Sequence, residues 1–143
     1  MTQVFIGLGS NLGDRENNIS IALNALSKNP HIKIVRVSSL IETDPVGGPP
    51  QPKYINGVAE LKTDLEPFQL LEIMQEIEKG LGRRRTVKNG PRTLDLDILL
   101  FGDLKLDTVR LTIPHPRMWQ RDFVLIPLRE IEPEAIRRFK PRP

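Results

Sequence analysis

The stretch Gly90-Pro91-Arg92-Thr93-Leu94-Asp95-Leu96-Asp97-Ile98-Leu99-Leu100 sets two acids one residue apart in an otherwise apolar run. Such a run reads as a β-strand, whose side chains leave by alternate faces. Asp95 and Asp97 therefore share one face, and Leu94, Leu96 and Ile98 the other. Residues two apart in a strand lie about 7 Å apart at Cα, so the two carboxylates repel unless a cation sits between them. Magnesium takes oxygen ligands and commonly uses one or two carboxylates together with substrate phosphates. Two such ions can bridge a polyphosphate. The plainer reading is a pair of acids facing solvent at a strand end. Arg92 and the Gly-Pro turn just ahead favour metal-phosphate chemistry.

A second constellation lies immediately upstream, where Arg83, Arg84, Arg85, Lys88 and Arg92 crowd one loop. A guanidinium grips phosphate through paired N–H groups and stays charged at any working pH. Arg83 and Arg85 on one side and Arg92 on the other could clamp a triphosphate and stabilise charge that develops during transfer. A solvated turn or a nucleic-acid patch are the competing readings. The neighbouring acids would repel a nucleic-acid backbone, so a phosphate clamp beside a metal is the better fit.

Three further groups stand out. Arg110-Leu111-Thr112-Ile113-Pro114-His115-Pro116, with Arg121 and Phe123 beyond it, holds a histidine suited to either proton transfer or hydrogen-bond donation. A lone histidine is more often structural or ligand-binding than catalytic, so the base role is not assigned to it. Gly7-Leu8-Gly9-Ser10-Asn11-Leu12-Gly13 lacks the Lys-Ser/Thr of a Walker loop and the spacing of a dinucleotide fingerprint. It reads as a tight strand-to-helix turn, with Asn11 able to line a neighbouring pocket. Tyr54 and Phe123 are suited to hold a flat heteroaromatic ring, with Asn56 reading its edge; two core aromatics are the alternative.

The elements that must carry these residues follow from periodicity. Gln3 to Gly9 reads as a buried strand. Asp14 caps a helix marked by Ile19, Ala22, Leu23 and Leu26, which Asn29-Pro30 ends. A long strand is expected from Ile32 to Ile41, then a Pro- and Gly-rich loop from Thr43 to Pro52, of a length that is often functional. Tyr54 to Leu61 is a third strand. Pro67 opens a second helix through Leu70, Ile73, Met74, Ile77 and Leu81. Leu94 to Phe101 is the fourth strand, followed by a small hairpin over Lys105 to Leu111. Beyond Pro114 only short helical pieces are expected, Phe123 to Ile131 foremost, and the basic tail from Arg137 is expected to fray. The order is β-α-β-β-α-β: an α+β, ferredoxin-like antiparallel sheet with helices on one face and short C-terminal helical pieces. That fold hosts many functions and decides none.

Composition bounds the rest. The 143 residues suit one domain over residues 1–143 with one sizeable core. The absence of cysteine removes disulfides, thiolate metal sites and cysteine nucleophiles. Neither a signal peptide nor an apolar run of bilayer length is apparent, so a cytoplasmic protein without membrane contact is expected.

These motifs together resemble the 6-hydroxymethyl-7,8-dihydropterin pyrophosphokinases of folate biosynthesis. The likeness runs from Phe5 to about Ile131 and is carried by Gly9-Ser10-Asn11-Leu12-Gly13, by Gly90 through Asp97, and by Leu111-Thr112-Ile113-Pro114-His115-Pro116. The resemblance implies that Asp95 and Asp97 coordinate two magnesium ions bridging the phosphates of ATP, the co-substrate. Arg83 and Arg92 would assist transfer. Gln75, Glu78, Arg85, Ile98, Arg110, Thr112, His115 and Arg121 would hold the nucleotide. The pterin would lie between Tyr54 and Phe123, read by Asn56 and by Thr43, Pro45 and Val46. Its hydroxymethyl oxygen would attack the β-phosphorus, giving the pterin diphosphate and AMP. Mobile loops would close over the substrates. Asn89 stands where many members carry tryptophan, and the loop after Gly82 is one residue shorter. The expected partners are small molecules only, with no nucleic acid, on a monomer. Against this stand a ferredoxin-like RNA-binding module using the arginine loop, and a nuclease or other metal-dependent phosphotransferase. The strands offer few aromatics of the kind on which RNA bases stack.

Overall fold

A computed structural model describes residues 1–45, 47–81 and 93–141. Strand β1 (Thr2–Ser10) is the centre of its sheet. After helix α1 (Arg15–Ser27) come β2 (Ile32–Val37), β3 (Ile41–Thr43) and β4 (Tyr54–Thr63), then helix α2 (Pro67–Gly80) and β5 (Asp95–Phe101). The strand order is β2-β4-β1-β5, with every neighbouring pair antiparallel and β3 continuing beside β4. This is the ferredoxin-like order the sequence leads one to expect.

Local chemistry explains the helices. The Asp14 side chain accepts from the Asn17 N–H at 3.2 Å, capping α1. Pro67 opens α2, and Gln69 Oε1 accepts from the Glu66 N–H at 2.8 Å. Ile19, Ala22 and Leu26 of α1 and Leu70, Leu71 and Met74 of α2 pack on Val4, Ile6, Leu8, Leu96 and Ile98 from the sheet. Each such side chain contributes roughly 1.5–3 kcal/mol on burial.

A second core covers the opposite face. Beyond the short hairpin β6 (Leu106–Asp107) and β7 (Thr112–Ile113) come a 3-10 turn (Met118–Gln120) and helices α3 (Asp122–Ile131) and α4 (Pro133–Phe139). Met118, Val124, Leu128, Ile131 and Ala135 pack on Phe5, Val58, Leu99 and Leu100. The C-terminal pieces thus make a third layer rather than a loose appendage. Helix α4 carries the basic stretch as far as Phe139. Ala135, Ile136 and Phe139 turn onto this core, and Arg138 pairs with Asp103. Glu60, buried on this face, is satisfied by Arg36 at 2.6 Å and Gln3 at 3.1 Å.

The long strand expected from Ile32 to Ile41 is broken in two. Val37 stands opposite Ala59 and Ile41 opposite Asn56, so Ser38 to Leu40 face only two residues of β4. Ser38 fills the gap by donating its N–H to the Val58 carbonyl and accepting the Val58 N–H on Oγ, both at 2.9 Å. Such a bulge shifts the register by one, and a one-residue shift turns every later side chain to the other face. An earlier shift of one, between Ile34 and Arg36, offsets it, so Thr43 lies opposite Tyr54 on the site face, where alternation from Ile32 also places it. Glu130 of α3 fastens the bulge by accepting from the Ser39 N–H at 3.1 Å and the Ser39 hydroxyl at 2.9 Å.

Candidate active site

Register places the chemistry. Asp95, Gly9 and Asn56 form one row across β5, β1 and β4, and Asp97, Gly7 and Val58 form the next. The pleat sends both rows to the face away from α1 and α2, beside the part that α3 and α4 cover. Neighbouring strands are about 4.8 Å apart, so Asp95 and Asn56 stand roughly 10 Å apart with Gly9 between them. Both acids are half-buried. The pairing of Asp95 with Asp97 inferred from alternation is present.

On the β4 side, Asn56 is 8% exposed and its Oδ1 accepts from the Thr43 hydroxyl at 2.6 Å. Tyr54 is half-buried two residues away on the same face, and Pro45 is half-buried just past β3. Phe123, also half-buried, opens α3, which packs over β4 and β3. The Arg121 guanidinium lies 5.4 Å from the Phe123 ring centroid. These residues gather an amide, a hydroxyl and aromatic faces at one end of the carboxylate row.

On the β5 side, the Leu96 N–H points outward and donates to Glu78 Oε2 at 2.9 Å. Glu78 is buried, and Gln75 stands exposed one turn earlier on α2. Arg110 lies 5.4 Å over the Phe68 ring and 4.0 Å from Glu72, along the same helix. Thr112 begins β7, and the His115 N–H donates to the Leu99 carbonyl at 2.9 Å. Of the residues expected to hold a nucleotide, Gln75, Glu78, Arg110, Thr112 and His115 thus lie toward the β5 side, whereas Arg121 stands with Phe123. Ile98 is the exception in side-chain direction: it is 2% exposed and packs in the core beneath the helices. Only its backbone is on the strand edge.

The imidazole of His115 is neutral. Burial first, then the cations Arg121 and Arg117, lower its pKa from 6.5 to about 4, while Asp95 pulls the other way. Its Nδ1 accepts the Arg117 N–H at 3.2 Å, so the ring proton resides on Nε2. His115 is thus uncharged at neutral pH, with Nε2–H available to donate and Nδ1 already accepting from Arg117.

The turn after β1 is structural, as its sequence indicates, but it does more than connect. Gly13 has φ of +70°, which lets the chain reverse into the Asp14 cap. The Ser10 hydroxyl donates to the Thr93 carbonyl at 2.6 Å, and Asn18 Nδ2 reaches the same carbonyl at 3.2 Å. Asn11 Nδ2 donates to Gln51 Oε1 at 2.8 Å and to the Pro52 carbonyl at 3.0 Å. Arg15 donates to the Lys53 carbonyl at 2.9 Å and meets Glu42 at 3.0 Å. One turn therefore holds the start of β5, two residues before Asp95, and the end of the Pro-rich loop. Sequence reading missed Ser10, Asn18 and Arg117; only the polar density of Gly9 to Asn18 hinted at the first two. Val46, Arg83, Arg85, Arg92 and the substituted Asn89 lie outside the described residues.

The fold and site define an α+β domain whose sheet presents paired carboxylates between the Thr43–Asn56–Tyr54 group and the outer edge of β5. Residues 5–133 match the family model of 7,8-dihydro-6-hydroxymethylpterin-pyrophosphokinase (HPPK), and the chain belongs to that family. It is 51% identical over 127 residues to the 2-amino-4-hydroxy-6-hydroxymethyldihydropteridine pyrophosphokinase of Bacillus subtilis, covering 89% of this chain and 76% of that one. The protein of the same name from Pseudomonas aeruginosa is 48% identical over 132 residues, with 92% and 82% covered. Among solved structures, Plasmodium falciparum HPPK-DHPS with pterin and p-hydroxybenzoate matches with a TM-score of 0.70 at 18% identity. That match covers 93% of this chain and 40% of the longer one, and shows the likeness of fold. Family membership leaves the RNA-binding alternative without support. Among the described residues, no helix is long and apolar enough to cross a membrane.

Proposed function

We propose that this chain, a pyrophosphokinase by family, carries out its transfer across the Asp95–Gly9–Asn56 row, moving pyrophosphate from magnesium-ATP to 6-hydroxymethyl-7,8-dihydropterin. The observation that carries the assignment is the shared face of Asp95, Asp97, Asn56 and Tyr54, set by strand register.

The donor set suits magnesium. Asp95 and Asp97 offer hard oxygens, and among the described residues no cluster of three or more His, Cys, Asp or Glu makes a closed cage. Magnesium typically takes few carboxylates and leaves positions for phosphate and water. Two ions held by this pair would neutralise the polyphosphate and make its β-phosphorus more electrophilic.

The chain's own groups do the positioning. Asn56, oriented by Thr43, reads the edge of the pterin, and Tyr54 and Phe123 take its faces, with Pro45 and Val46 beside them. Gln75, Glu78, Arg110 and Thr112 hold the nucleotide along β5, and Arg121 from beside Phe123, with the Ile98 backbone facing its base. His115 donates from Nε2 to a phosphate oxygen. Arg83, Arg85 and Arg92 embrace the phosphates from the basic loop. The hydroxymethyl oxygen forms a bond to the β-phosphorus, the bond from that phosphorus to the α–β bridging oxygen breaks, and AMP leaves. The hydroxyl proton passes to solvent. Placement and charge neutralisation supply most of the rate. The Pro-rich loop is held at Gln51 and Pro52, and Thr93, at the start of β5, is held by Ser10 and Asn18. Every residue in this scheme belongs to one chain, so a monomer suffices.

The test is AMP formation from ATP. Formation that requires both the hydroxymethyl dihydropterin and magnesium is expected; AMP release independent of the pterin, or none at all, overturns the assignment.

A further inference from the structure

We infer that Gly9 is a positioning residue of the ring site, where the absence of a side chain lets the Asn56 amide lie against the sheet between Tyr54 and Asp95. The inference rests on the assignment of the pterin to the Tyr54–Asn56 face.

A Cβ built on Gly9 would stand 3.0 Å from Asn56 Nδ2, 3.6 Å from Tyr54 Cδ1 and 3.8 Å from Asp95 Cβ. Those three atoms belong to the edge-reading amide, the ring platform and the metal carboxylate. The first distance is tighter than nine in ten real Cβ contacts, so the amide would have to give by a few tenths of an ångström. Little room for that exists. Asn56 is 8% exposed, its Oδ1 is held by the Thr43 hydroxyl at 2.6 Å, and its Nδ2 faces the Leu8 carbonyl at 3.5 Å.

Backbone conformation does not explain the glycine. The described glycines with positive φ are Gly13, Gly47, Gly48 and Gly102, and Gly9 is not among them. Glycine weakens a strand interior, and one found there often marks close approach of a ligand or another chain segment. Gly7 supplies the contrast on the same strand and face. A Cβ there would meet Leu99 at 3.6 Å and Asp97 at 3.8 Å, both ordinary contacts. Space is reserved at Gly9 and not at Gly7.

The experiment is a double-variant cycle of Gly9→Ala with Asn56→Ala, read by pterin KM, kcat and calorimetric affinity for a non-hydrolysable magnesium-nucleotide, with Gly7→Ala as control. Gly9→Ala should raise pterin KM about 10-fold or more, the equivalent of 1.4 kcal/mol, with nucleotide affinity within about two-fold and a native circular-dichroism spectrum. In the Asn56→Ala background the same substitution should change pterin KM less than about two-fold, because the displaced amide is gone. Gly7→Ala should be indistinguishable from the parent. An unaltered pterin KM in Gly9→Ala overturns the inference, as does an equal loss in both backgrounds, a parallel loss of nucleotide affinity, or failure to fold. If Asn56→Ala itself leaves pterin KM unchanged, the ring assignment fails instead, a result separable from the first.

Discussion

Thr43 Oγ1 donates to Asn56 Oδ1 at 2.6 Å across adjacent strands, while Asn56 Nδ2 faces the acceptor-only Leu8 carbonyl at 3.5 Å, and the two contacts together orient the amide. A primary amide has one accepting and one donating end, and a flipped ring-edge reader would present the wrong one. Thr43→Val keeps shape and removes the donor. With a net hydrogen-bond contribution of about 1 kcal/mol, pterin KM should rise about 5-fold while the KM for ATP is unchanged. Steady-state kinetics with each substrate varied would show it; equal changes for both substrates contradict the orienting role.

Asp95→Asn and Asp97→Asn should each lower kcat by at least about 100-fold, a few kcal/mol of transition-state stabilisation. Circular dichroism should remain native. Magnesium with a nucleotide analogue should raise the Tm of the parent chain and leave that of the double variant where it was. Near-normal turnover in either single variant removes that residue from the metal.

The folded pKa of His115, about 4, lies below its ordinary 6.5. Sign follows from which state binds the proton. The unfolded chain takes it up first as pH falls, so this stability contribution is full above about pH 6.5 and is lost as pH drops through 4. His115→Gln, which cannot titrate, should show less acid destabilisation than the parent between those limits. Heteronuclear NMR of the metal-free protein at pH 7 should show His115 neutral with its proton on Nε2; an Nδ1 tautomer would contradict the hydrogen bond from Arg117.

Ser10 is fully buried and holds the Thr93 carbonyl. Ser10→Ala should cost about 1–2 kcal/mol, a fall of about 3–6 °C in Tm for a chain of this size, and should lower kcat because Asp95 lies two residues beyond the lost contact. Ser27→Ala, which removes an exposed hydrogen bond within α1, should leave both near the parent values. A lowered Tm with kcat untouched would separate the Ser10 contact from placement of Asp95.

Legibility in the sequence tracked the range of the interaction concerned. Asp95 and Asp97 share a face because alternation is built into a strand, and Ile19, Ala22 and Leu26 line a helix because its period is equally local. Thr43 lies beside Asn56 on the face that alternation suggests, though the strand that carries it is not continuous. Unbroken alternation from Ile32 also puts Thr43 on the site face; what it does not reveal is that two register shifts, one between Ile34 and Arg36 and one at Ser38 to Leu40, cancel, the second held by Val58 and Glu130 from elsewhere in the chain. Ile98 shows the converse. Its position beside Asp97 suggests ligand contact, and alternation buries its side chain beneath the helices.

By itself the sequence determined the element order, the paired acids, the capped turn after the first strand and the family motif, all of which depend on neighbours a few residues apart. Only the tertiary structure decided that Gly9 separates Asp95 from Asn56, that Ser10 grips Thr93, and that the C-terminal helices close the second face. Those relations join residues tens of positions apart. They are set by strand register and packing, where a shift of one residue exchanges pocket for core.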